Sequence, residues 1–76
     1  MNEREQRISI TSEFIKLESF LKLTNAVASG GMAKTVIQNH EVAVNGELCT
    51  MRGKKLRDGD KVCFDGRTYA VVYAAE

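Results

Sequence analysis

Ser29-Gly30-Gly31-Met32-Ala33-Lys34-Thr35-Val36-Ile37-Gln38-Asn39-His40-Glu41-Val42-Ala43-Val44-Asn45-Gly46 changes its hydrophobic period part-way along. Up to His40 the apolar positions Ala33, Val36 and Ile37, with His40 after them, recur at helical spacing, and Ser29 or Gly30 supplies a cap. From Val42 the pattern becomes strand-like and ends in Asn-Gly. That dipeptide is a strong hairpin signal, because a type I′ turn needs positive φ at both central positions. A helix handing over directly to a hairpin predicts a mixed α+β domain.

Working outward towards the N-terminus, Leu17, Phe20, Leu21 and Thr24 occupy one face of a first helix, with Lys16, Glu18, Ser19 and Lys22 on other faces. Residues 25–31 connect the two helices into a hairpin. Arg7 to Ile10 alternates and suits a short edge strand, and residues 1–6 read as a loose polar end. Around Phe14-Ile15 two readings stand open: the strand runs on, or a helix begins. Towards the C-terminus, Glu47-Leu48-Cys49 completes the hairpin and Lys54–Leu56 is a short pairing segment. Asp58-Gly59 and Asp65-Gly66 are turns bounding strands at Asp60–Phe64 and Arg67–Tyr73. The chain has no proline, which suits these ladders. The expected architecture is a two-helix hairpin packed on a small, mainly antiparallel sheet, one domain over residues 7–73 with a short tail at 74–76. Its core is expected to contain Leu17, Phe20, Leu21, Val36, Ile37, Val44, Leu56, Val62 and Val71.

Seventy-six residues leave no room for a cleft between domains. No apolar run approaches the roughly 18 residues of a membrane span, and the hydrophilic start carries no secretory signal, so a cytoplasmic location is expected. Eleven basic against ten acidic groups give a net charge of +1. The distribution is uneven. Arg52, Lys54, Lys55 and Arg57 place four positive charges in residues 52–57, leaving seven basic and ten acidic groups elsewhere.

Other side chains give little chemistry. Cys49 and Cys63 form no C-x-x-C pair and read as reduced, strand-borne thiols. With the single His40 they fall short of the four ligands of a structural zinc site. His40 reads as a partly buried histidine or a helix C-terminal dipole partner. Glu13 and Glu18 do not share a helical face, and Asp58 and Asp60 belong to a turn, so neither pair suits general acid–base work. Gly30-Gly31 lacks the rest of a phosphate-loop pattern. Tyr69 and Tyr73 alternate to one side of the last strand and are expected to pack in the core. Neither an enzyme nor a cofactor is expected.

Taken in order, Lys16-Leu17-Glu18-Ser19-Phe20-Leu21, Ser29-Gly30-Gly31-Met32-Ala33-Lys34, Val42-Ala43-Val44-Asn45-Gly46 and Arg52-Gly53-Lys54-Lys55-Leu56-Arg57-Asp58-Gly59-Asp60-Lys61-Val62 resemble the S4-type RNA-binding domain. The likeness is to small standalone bacterial members of the YaaA and YbcJ kind, and it runs from about Ile8 to Val72. It implies an S4-like αL motif, in which two helices and the following hairpin grip structured RNA, ribosomal or transfer RNA. It also implies a role for Lys16 at the start of the first helix, for Lys34 in the first turn of the second, and for Lys54 and Lys55 beyond the hairpin. Arg52 and Arg57 flank that stretch and Lys22 is peripheral. Gly30 and Ala43 stand where the family commonly has basic residues, which implies either a lower affinity or a burden shifted onto residues 52–57. The alternative is a protein-interaction adaptor in a ribosomal or other ribonucleoprotein assembly; a monomer is the default. The second half also looks like β-grasp sulfur carriers, but Tyr73-Ala74-Ala75-Glu76 lacks their C-terminal Gly-Gly.

Overall fold

Alternating Ile8 and Ile10 place the first strand, β1 (Glu5–Ser9), with its apolar side turned inward. The computed structural model describes residues 5–74. Of the loose ends expected at 1–6 and 74–76, residues 1–4 and 75–76 lie outside the described residues. Glu5 and Gln6 already belong to β1, two residues earlier than the alternation indicated.

At Phe14 neither of the two readings occurs. The chain bends through Thr11–Glu13, the Ser12 hydroxyl donating to the Phe14 carbonyl at 2.7 Å. It then forms a two-residue strand, β2 (Ile15–Lys16), that feeds straight into α1 (Leu17–Leu23). No side chain caps α1. Its first amides are satisfied from far along the chain: Leu17 N–H donates to the Lys54 carbonyl at 2.9 Å and Glu18 N–H to the Arg52 carbonyl at 3.1 Å. The backbone of the basic segment therefore supplies the acceptors that a helix start requires.

Both helices close in the same way. After α1, Ala26 N–H reaches the Leu21 carbonyl and Asn25 N–H the Lys22 carbonyl, with Asn25 at φ 64°. After α2 (Gly30–Gln38), Glu41 N–H reaches the Val36 carbonyl and His40 N–H the Ile37 carbonyl, with His40 at φ 63°. These are paired Schellman closures. They correct the expectation for His40, which is exposed and lies beyond the helix. The left-handed residue reverses the chain, so the i+4 spacing from Val36 no longer points inward. At the other end Ser29 caps α2, its Oγ accepting from Met32 N–H at 3.2 Å.

The remaining strands are β3 (Val42–Val44), β4 (Glu47–Leu48), β5 (Lys55–Leu56), β6 (Lys61–Phe64) and β7 (Arg67–Val72). Five of the strands form a sheet in the order β1-β7-β6-β3-β4, antiparallel except for β1 beside β7. Both tight turns have positive φ at both central residues: Asn45 and Gly46 at 52° and 88°, Asp65 and Gly66 at 56° and 77°. β2 and β5 make a separate two-stranded ladder, pairing Ile15 with Leu56 and Lys16 with Lys55. The architecture is the expected two-helix hairpin on a mainly antiparallel sheet.

One face of the sheet meets the helices. Val42, Val44, Val62, Tyr69 and Val71 join Leu17, Phe20, Leu21, Ala33, Val36, Ile37 and Leu56 in a single core cluster. Every residue expected in the core is there. Tyr69 is 2% exposed, and Tyr73 is partly buried against the cluster. Cys63 is an exposed thiol on β6, and Cys49 follows β4, its N–H donating to the Val42 carbonyl. No described helix is long and apolar enough to cross a membrane.

Candidate nucleic-acid interface

Strand alternation determines how the basic run is displayed. Within the small ladder, Leu56 is fully buried and Ile15 packs against the core, so Lys55 and Lys16 point away from it. These two lysines are direct cross-strand partners. Because Leu17 N–H bonds the Lys54 carbonyl, the lysine pair falls at the non-hydrogen-bonded position, where facing side chains stand closest. Like charges directly opposite are destabilising in a sheet. Folding alone gives no reason for this pair.

Arg57 extends the same face. Its N–H is held by Asp60 Oδ2 at 2.8 Å, and its guanidinium lies 5.7 Å from the centre of the Phe14 ring. The Lys55 ammonium lies 4.9 Å from that centre. Phe14 and Lys16, two residues apart in extended chain, thus share a surface with Lys55 and Arg57. Three cations and one aromatic ring gather across β2 and β5, at the start of α1.

The other predicted cations are placed elsewhere. Lys54 turns to the opposite side from Lys55 and lines a concavity with Val44, Leu48, Cys49 and Met51. Arg52 reaches the Glu18 carboxylate at 4.0 Å, a long and half-exposed pair of small energetic value. Lys22 is exposed on α1 and borders a hollow lined by Ile10, Ile15 and Leu23, and Lys34 is exposed on α2. Among the described residues the ion pairs are Arg52–Glu18 and Lys61–Glu5, so Lys16, Lys22, Lys34, Lys54, Lys55 and Arg57 have no carboxylate within 4.0 Å. Within the run 52–57, Lys55 and Arg57 therefore share one side, Lys54 lies on the other, and Arg52 stands by Glu18 of α1.

A network of turn contacts keeps this surface in place. Asn45 Nδ2 donates to Asp60 Oδ1 at 3.1 Å, and Asn45 Oδ1 accepts from Lys61 N–H at 2.9 Å. Asp58 Oδ1 accepts from Tyr73 N–H at 2.8 Å. Asp58 and Asp60 thus tie the turn after β5 to the hairpin and to the end of the last strand, in keeping with their reading as turn residues. Among the described residues no group of three or more His, Cys, Asp or Glu is arranged to hold a metal.

Sequence reasoning missed Phe14 as part of this surface. Its signal was present in the tetrapeptide Phe14-Ile15-Lys16-Leu17. Read as extended chain, that stretch sends Ile15 inward and turns Phe14 and Lys16 together outward. Two-residue strands are too short for periodicity to show this without their partner.

Comparison with known proteins agrees with this architecture. The model of a family described as the S4 domain matches residues 8–72. Over 59 residues the chain is 51% identical to the probable ribosome maturation protein RlbA of Bacillus subtilis (strain 168), a match covering 78% of this chain and 83% of that protein.

Proposed function

The chain belongs to the S4 domain family, and from that premise we propose that it is a non-catalytic RNA-binding module with a ribosome-related role in the cytoplasm. Its ligand is structured RNA, ribosomal RNA first and transfer RNA as the alternative. The observation that carries this reading is the cluster of Lys16, Lys55 and Arg57, three exposed cations on one surface whose charged groups form no ion pair with a carboxylate among the described residues. Such a cluster is electrostatically unfavourable in the free protein and becomes favourable when phosphates lie against it. Binding neutralises the phosphates and releases their counterions. The rigid frame of α1 and the β2–β5 ladder suits recognition by shape, as expected for an RNA helix whose base edges are poorly accessible. Lys34 and Lys22 extend the contact along the helices, Lys54 on the hairpin side, and Arg52 beside Glu18 in the first turn of α1.

The test is a salt titration of binding to a labelled, structured ribosomal RNA fragment. Neutralisation of about four to six phosphates corresponds to a slope of log K against log salt of roughly −3 to −5. A folded Lys16→Ala/Lys55→Ala/Arg57→Ala variant is expected to bind more weakly, with a slope shallower by about 2 to 3. Equal slopes for the two proteins would remove the cluster from the binding surface.

An adaptor role has one observation in its favour: Leu48 and Met51, 66% and 63% exposed, flank the concavity beside Lys54. Failure of wild type to bind any RNA at low salt, together with a stable protein complex lost on Leu48→Ser/Met51→Ser, would favour that role.

A further inference from the structure

We propose that Phe14 is a stacking platform for an unpaired nucleobase of the bound RNA, an inference that rests on the RNA-binding reading above. Phe14 is 37% exposed and stands outside the cluster of residues that forms and flanks the core. It is the most exposed aromatic residue of the chain. Two cations lie over its ring, the Lys55 ammonium at 4.9 Å and the Arg57 guanidinium at 5.7 Å from the ring centre. Cation–π attraction holds both cations over the ring; a bound phosphate draws them off it, and the ring surface they covered then takes the base. A nucleotide offers the complement of this arrangement: a flat π surface for the ring and, one sugar away, a phosphate for Lys55, Arg57 and Lys16.

A base inside a continuous duplex has both faces covered by its neighbours, so the platform has a use only where a base is unstacked, in a loop, bulge or end. The remaining aromatics do not compete for this role. Phe20 and Tyr69 are buried, and Phe64 and Tyr73 pack against the core. The surface thus divides its tasks, with the lysines and arginine gripping phosphates and Phe14 selecting RNA with an unpaired base beside them.

The experiment compares two labelled RNAs, a hairpin with an unpaired purine-rich loop and the same stem as a blunt duplex. Wild type is measured alongside Phe14→Ala, Phe14→Leu and Phe14→Tyr. Stacking on one base corresponds to about a five- to 150-fold loss on truncation to alanine. The expected result is a loss in that range for Phe14→Ala and Phe14→Leu on the hairpin alone, with the salt slope unchanged and Phe14→Tyr close to wild type. A second readout uses Phe14→Trp. The chain has no tryptophan, so emission reports this position alone, and it should be quenched by the hairpin and not by the duplex.

Equal losses on both RNAs with a shallower salt slope would make Phe14 a clamp for Lys55 and Arg57, and would overturn the proposal. So would unchanged binding of both RNAs by Phe14→Ala. In either case salt-dependent binding by wild type would leave the RNA-binding reading standing. Absence of binding by wild type to either RNA would bring down both.

Discussion

At the scale of single residues, the core and the turns are held by different physics. Phe20 is fully buried in the core cluster, with Leu17 and Leu21 of the same helix. Truncation leaves a cavity in a core too small to collapse around it, and Phe20→Ala is expected to cost about 3–5 kcal/mol. Chemical denaturation measures this directly, and a mutant as stable as wild type would contradict the packing of α1. Asn45 works otherwise. It accepts a left-handed φ of 52° and uses both side-chain polar atoms, one towards Lys61 and one towards Asp60. Asn is among the few residues that meet both demands, since it tolerates the left-handed region and carries a donor and an acceptor. The same geometry forms the turn and anchors the segment after β5.

Elements in this protein are short, and their ends matter as much as their lengths. Seven residues of α1 are too few to be stable alone. The helix persists because the carbonyls of Arg52 and Lys54 occupy its first amides and a Schellman closure occupies its last carbonyls. At the matching closure of α2, His40 holds φ 63° where glycine would hold it without strain. Relief of a left-handed conformation is worth about 1–2 kcal/mol, against roughly 0.5–1 kcal/mol lost to glycine's greater freedom when unfolded. His40→Gly is therefore expected to stabilise the protein by about 0.5 kcal/mol, readable as a higher urea midpoint at unchanged m-value. A destabilised variant would show that the His40 side chain makes a contact beyond its backbone role.

Across the whole molecule, stability and binding pull on the same residues in opposite directions. The radius of gyration is 11.5 Å, near the roughly 11 Å of a compact chain of this length. Within that small body Lys16 and Lys55 face each other directly. Single substitutions Lys16→Ala and Lys55→Ala and their double are expected to give a coupling of about 0.2–1 kcal/mol, with the sign of repulsion in wild type. Raising salt from low ionic strength should shrink that coupling while it weakens RNA binding. Denaturation of the four proteins at two salt concentrations checks this. An attractive coupling, or one indifferent to salt, would mean that the pair is not a strained site waiting for an anion.

Sequence alone determined the elements whose physics is local. Helical spacing marked the buried faces of α1 and α2. Asn45-Gly46 and Asp65-Gly66 declared their turns, because positive φ is a property of the residue itself. Alternation named the core residues of β3, β6 and β7, and the ordered motifs pointed to the family. Tertiary structure decided what depends on the path of the entire chain. It laid β1 parallel to β7, joined the two-residue strands β2 and β5, and ended α2 before His40. The candidate site was legible to the same extent: its cations could be named, but not sorted. Residues 52–57 read as one basic run until pairing with Ile15 and Lys16 turned Lys55 and Arg57 to one side and Lys54 to the other. A strand of two residues carries no period of its own, so which way its side chains point is settled only by the partner it finds.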